Sequence, residues 1–311
     1  MQLVLFICMA VGGGVLLIFI GTLILSKMTG ISWDEIGNVK KWNLANPKML
    51  FLMRGLTLLQ FLGLFLIPSL LMAYLSDPKP GKYLGMRPPW KAGYWILGIA
   101  ALLIAYPFVE YTGILNYNML SGHGNSHWVN DKEQEAAKLI QFMLADRSVN
   151  NLVINLIFIA LFAGIGEELF FRGVIQRLLI RGTKSPWAGI LITAFVFAFV
   201  HFQFYGFLPR FFLGALLGAI YWYSGSIWTA VLAHFFWDGM TIVIAYLHPE
   251  TVTSTDASVL EHTKGVEFMA MASLALTVII LMWMKRNSRS SFEAVYADDY
   301  RKHPDNPFDF H

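Results

Sequence analysis

Residues 151–172 read NLVINLIFIALFAGIGEELFFR, and this stretch decides the fold class. Its first sixteen residues carry no charge, and it then ends on Glu167, Glu168 and Arg172. About 20 apolar residues cross the roughly 30 Å hydrocarbon layer of a bilayer, so the run reads as a membrane span. A charge at the bilayer centre costs about 2.5–3.5 kcal/mol on insertion scales, and such residues mark function by default.

Working outward, comparable runs cover residues 3–25, 50–75, 93–115, 187–202, 207–223, 227–247 and 266–284. Eight spans make an all-α polytopic membrane helix bundle, with a kink expected at Pro68. Composition agrees, with 56% hydrophobic and 14% charged residues and a mean hydropathy of +0.55, which excludes a soluble domain of this length. No charge precedes Lys27, so the first run reads as an uncleaved helix and not a signal peptide. The one cysteine, Cys8, excludes an internal disulfide and any multi-cysteine zinc site, and reads as a small buried hydrophobe. No basic stripe interleaved with aromatics points to nucleic acid.

The chain divides into an N-terminal part (1–150), a core (151–247) and a last span with a polar tail (248–311). In the first part, 31–48 is an interfacial stretch with Trp33 and Trp42, and DKEQEAAKLIQFMLADR (131–147) is an amphipathic helix lying on the membrane surface or at a cavity mouth. The tail is expected to be loosely ordered. Arg177, Arg181 and Lys184, with Lys285, Arg286 and Arg289, place their loops in the cytoplasm by the positive-inside rule. Eight spans then put the N-terminus on the same side, whereas Lys27, Lys40 and Lys41 argue for the reverse.

The intramembrane polar residues cluster. Glu168 and Arg172 lie one helical turn apart with the acid first, the favourable order for a bracing ion pair. Glu167 points about 100° away around the same helix. His201 ends the fifth span, and His234 and Asp238 share a face of the seventh. If these helices meet, a carboxylate can take a proton from water while imidazoles orient that water and hydrogen-bond an oxyanion. The same set, Glu167, His201, His234 and Asp238, can alternatively hold a zinc ion with an open position. No GxSxG, HExxH or GxGD pattern is present.

Other features read as structural. Gly214 and Gly218 form a GxxxG packing surface. His123 and His127 fall in a solvated loop, His262 in a polar loop, and Arg54 and Glu110 snorkel at span ends.

EELFFR at 167–172 fits EExxxR, Phe197–His201 fits FxxxH, and His234–Asp238 fits HxxxN/D, in that order on successive apolar segments. The chain over about 151–246 thus resembles the CPBP (CAAX protease and bacteriocin-processing, or Abi) family of intramembrane endopeptidases, which includes the Rce1-like CAAX prenyl proteases. The resemblance implies Glu167 as general base, His201 as its partner in activating water, and His234 with residue 238 as oxyanion stabilisers. It implies Glu168 and Arg172 as structural or substrate-orienting residues, no cofactor, and peptides or membrane-tethered proteins as substrates at a bacterial inner membrane. Position 238, often Asn in the family, is Asp here; either it is neutral, or it orients His234 and leaves the oxyanion to that ring. The competing classes are a non-catalytic membrane scaffold and a proton-coupled transporter using the same acids and histidines as a relay. Oligomeric state is not encoded in any of these features.

Overall fold

The computed structural model describes residues 1–43, 46–121, 127–248 and 265–296. Among these residues there is no strand. Seven helices are long and apolar enough to cross a membrane: α1 (Gln2–Thr29), α2 (Pro47–Ser76), α3 (Tyr94–Ser121), α5 (Val149–Thr183), α7 (Phe207–Ser224), α8 (Ile227–Leu247) and α9 (Val266–Arg286). The expected eighth span is α6 (Pro186–Phe199), which is apolar but only 14 residues long. The protein is an integral, multi-pass membrane protein. Large apolar side chains such as Phe19, Phe195 and Phe268 are exposed along the outer faces, as a lipid-facing surface requires.

Local chemistry sets the helix ends. Asn46 accepts a hydrogen bond from the Lys48 amide with Pro47 at the first turn, Ser148 accepts from Asn151, and Ser185 accepts from Ala188 ahead of α6. Gly225, at φ 68°, closes α7 in the left-handed conformation that glycine adopts at least cost. At Pro68 the helix is not broken. The preceding turn, Phe61–Leu66, widens to π-helical bonding and absorbs the missing donor.

The amphipathic segment is helix α4 (His127–Leu144). It caps one end of the bundle: Asn130 accepts from the Tyr205 hydroxyl at 2.9 Å and Glu133 from the Tyr205 amide at 3.0 Å. Orientation is consistent with the eight-helix reading, because Arg181 donates to Gln2 at 3.1 Å and so joins the N-terminus to the last turn of α5.

Several expectations are corrected. Cys8 is exposed on α1, because the outer face of a membrane helix is itself apolar and accepts a thiol. Arg54 does not snorkel; it turns inward and donates to Asn151 and Asn155, two buried amides that give it protein partners at that depth. The described part of the tail includes α10 (Phe292–Tyr296), where Tyr296 is buried and donates to the Arg177 carbonyl at 3.0 Å. Two apolar contacts one turn apart are enough to dock that segment. His123 and His262 lie outside the described residues, as does the side chain of His127.

Among the described residues three apolar clusters fill the interior; a small one packs α2 on α4 around Leu52 and Phe142, and the other two adjoin. One joins α3, α7, α8 and α9 around Tyr94, Ile220 and Ala233, and the other joins α2, α5, α6 and α8 around Phe171, Phe197 and Val231. The polar cluster lies where they adjoin.

Candidate active site

Close helix approach builds the site. A Cβ on Gly164 would stand 3.2 Å from the Val231 carbonyl and 3.3 Å from the Phe235 amide, tighter than an ordinary contact, so the glycine lets α5 press its backbone onto α8 without a shift. One turn further on, Glu168 reaches across this contact. Its Oε1 accepts from Arg172 at 2.7 Å and lies 2.8 Å from His234 Nδ1, with Glu168 and Arg172 fully buried. From Glu168 to Gln176 the helix is π-bonded, a widening frequent at functional sites.

Arg172 is held on three sides. Besides Glu168, it donates to the Gly214 carbonyl of α7 at 3.1 Å and lies over the Phe197 ring at 4.7 Å. One turn along both helices Gln176 repeats the pattern, donating to the Gly218 carbonyl at 3.1 Å. The GxxxG pair therefore does more than pack: with no side chains at 214 and 218, two α7 carbonyls are open to donors from α5.

His234 sits between two acids. Nδ1 meets Glu168, and Nε2 lies 3.3 Å from Asp238 Oδ2. His201, in the turn that ends α6, has Nδ1 2.6 Å from the Phe197 carbonyl. A carbonyl only accepts, so Nδ1 carries the hydrogen, and in the neutral ring Nε2 is left as an acceptor. The next residue, Phe202, has φ 53°, a left-handed conformation that is uncommon outside glycine and marks a local constraint beside the histidine. The Phe197 ring contacts both imidazoles, at 4.8 Å from His201 and 6.3 Å from His234.

Glu167 is partly buried and lies within electrostatic reach of His234, Asp238, Glu168 and Arg172. His201 in turn is within reach of His234 and Asp238. All six sequence-singled residues are thus gathered at one crossing of α5, α6 and α8. The bracing pair Glu168–Arg172 is present and also ties down His234, a link that spacing along one helix does not reveal.

Two participants, Gln176 and Arg210, were missed, and Phe197 was named only as a motif position. Gln176 extends the α5–α7 ladder, and an amide one turn beyond Arg172 in a span was the signal for it. Phe197 is the ring between the charged groups. Arg210 on α7 donates to both the carbonyl and the side chain of Gln203 and lies within electrostatic reach of Glu167, Asp238 and Glu133.

Among the described residues no three His, Cys, Asp or Glu side chains are grouped to hold an ion, and both nitrogens of His234 face carboxylates of the protein.

Comparison with known proteins bears on the same segment. Residues 149–240 match the family model described as type II CAAX prenyl endopeptidase Rce1-like. An Escherichia coli protein described as an uncharacterized 24.3 kDa protein is 24% identical over 227 residues, covering 68% of this chain and 89% of that one. No solved structure matches the chain.

Proposed function

We propose, taking the Rce1-like match over residues 149–240 as the premise, that the chain is an intramembrane endopeptidase using a glutamate-activated water. The observation that carries the reading is the division of labour between adjacent acids. Glu168 already takes Arg172 and His234 on one oxygen, whereas Glu167, its neighbour, has no such clamp and faces the same charged cluster.

In this mechanism the Glu167 carboxylate removes a proton from water while the Nε2 lone pair of His201 orients it. The hydroxide oxygen adds to the scissile carbonyl, and the oxyanion formed takes the Nε2–H of His234 in place of its longer contact with Asp238, while Nδ1 stays on Glu168. Collapse of the tetrahedral intermediate breaks the C–N bond, and the leaving amine takes the proton held by Glu167. The 3.3 Å contact between His234 Nε2 and Asp238 supports the reading in which Asp238 aligns the ring and is not itself the oxyanion donor. Substrates are peptides or membrane-tethered proteins that reach the site from the bilayer.

Purified protein and a reporter peptide library test this. Glu167→Gln should lower cleavage by about a hundredfold or more, as loss of a general base does. His201→Asn should also lose activity, and chelator should leave the wild type unchanged. Unaltered cleavage by Glu167→Gln would end the assignment.

A further inference from the structure

His201 lies just beyond α6, which ends at Phe199, so the regular helix does not itself fix the imidazole. The ring is tied back to the Phe197 carbonyl through Nδ1. Phe202 follows at φ 53°, and one 3₁₀ turn, Phe204–Gly206, leads into α7. So short a connection makes few backbone bonds of its own, and its amides and carbonyls must find partners elsewhere.

Side chains from three helices supply them. Asn116, buried on α3, donates through Nδ2 to the Phe204 carbonyl at 2.7 Å and to the Tyr205 carbonyl at 2.8 Å. Its Oδ1 accepts from the Leu208 amide at 3.3 Å. Both amide hydrogens and the oxygen are thereby spent, a pattern that Asp or Leu of the same size cannot reproduce. Glu133, on α4, accepts from the Tyr205 amide at 3.0 Å. Arg210, on α7, donates to the carbonyl and side chain of Gln203 and lies within electrostatic reach of Glu133, Glu167 and Asp238. Rings reinforce the same contacts: Tyr117 of α3 lies 5.2 Å from Tyr205, and Trp128 of α4 lies 5.5 Å from Phe204.

The conformation of Phe202 gives this bracing a purpose. A bulky residue is costly in the left-handed region and stays there only where its surroundings over-determine it. One peptide bond joins it to His201, so relaxation of the connection would carry the imidazole with it.

We propose that Asn116 and Glu133 are positioning residues for His201, holding the 202–206 connection in the shape that keeps the imidazole at the Glu167 cluster. The proposal rests on the hydrolase reading for the task of His201, whereas the placement is a property of the fold.

Diethyl pyrocarbonate labelling of the full-length protein in detergent, read by mass spectrometry at each histidine, tests the placement without any need for cleavage. The reagent acylates an unprotonated imidazole nitrogen, which for His201 is Nε2. Glu133→Ala, on a half-exposed position of α4, should raise the His201 labelling rate several-fold while His234 keeps its wild-type rate. Glu133→Gln retains an acceptor for the Tyr205 amide and should return His201 to the wild-type rate. Asn116→Asp keeps the acceptor for Leu208 but loses both donors, and should behave as Glu133→Ala does. In the cleavage assay Glu133→Ala should lower kcat about tenfold with KM unchanged, as displacement of a water-orienting group does, and Glu133→Gln should restore it. Wild-type labelling of His201 in either variant removes that residue from the role. In both it overturns the proposal even if the melting temperatures fall, because the bonds then only brace the bundle. A Glu133→Gln chain as impaired as Glu133→Ala also overturns it, since charge and not the hydrogen bond would then be responsible. Absence of cleavage by the wild type would instead sink the hydrolase reading, and the labelling would still decide where His201 is held.

Discussion

Glu168 illustrates how much one buried carboxylate can organise. It is fully buried and holds Arg172 and His234 on a single oxygen, so its removal takes from a buried guanidinium its one hydrogen-bonded carboxylate among the described residues. Glu168→Ala should therefore cost about 3–5 kcal/mol of stability, read by denaturant or thermal unfolding in detergent. Glu168→Ala combined with Arg172→Met should recover part of that loss, while neither variant should cleave. Glu167→Gln, by contrast, should melt like wild type and fail only in cleavage. Sequence spacing was enough to pair Glu168 with Arg172 and His234 with Asp238, since each pair lies one turn apart on its own helix. It could not reveal the Glu168–His234 contact. That contact depends on how closely two helices cross, which Gly164 governs, and on a π-bonded stretch that departs from the 3.6-residue period.

Between helices, small residues decide where polar groups can go. A Gly164→Val side chain would collide with the Val231 carbonyl and the Phe235 amide, whereas Gly182 has open space around it. Gly164→Val should lower the melting temperature and cleavage together, because the same crossing packs the bundle and carries His234 to Glu168. Gly182→Ala should change neither. The sequence reading ended the fourth span at Arg172, ahead of Gln176, Arg177 and Arg181, yet α5 continues to Thr183. The physical reason is the ladder to α7: carbonyls of Gly214 and Gly218 satisfy Arg172 and Gln176, so the polar residues do not force an exit from the membrane. The polar tail misled in the same way. Its composition suggested looseness, but Phe292 and Tyr296 sit one turn apart and give α10 an apolar side to dock.

Across the molecule as a whole, eight apolar helices and the hydrogen bond from Arg181 to Gln2 place the N-terminus, the loop after α5 and the end of α9 on one face. In a Cys8→Ser background, Thr183→Cys and Arg289→Cys should react with an impermeant maleimide from the same side of sealed vesicles, and Ser148→Cys from the other. Labelling of all three from one side would refute this topology. The hydropathy pattern made the number of helices legible, because each apolar run has only one way to satisfy its backbone in lipid. It misjudged their lengths, and α6 is where length has a consequence. Fourteen residues rise about 21 Å, against a hydrocarbon layer about 30 Å thick. Lipid chains beside α6 must shorten or tilt to match it, leaving a dimple in the leaflet where headgroups and solvent descend toward His201. Reconstitution in lipids of increasing acyl length should then reduce cleavage progressively, as thicker bilayers resist that indentation; a flat dependence on thickness would show that water arrives by another route.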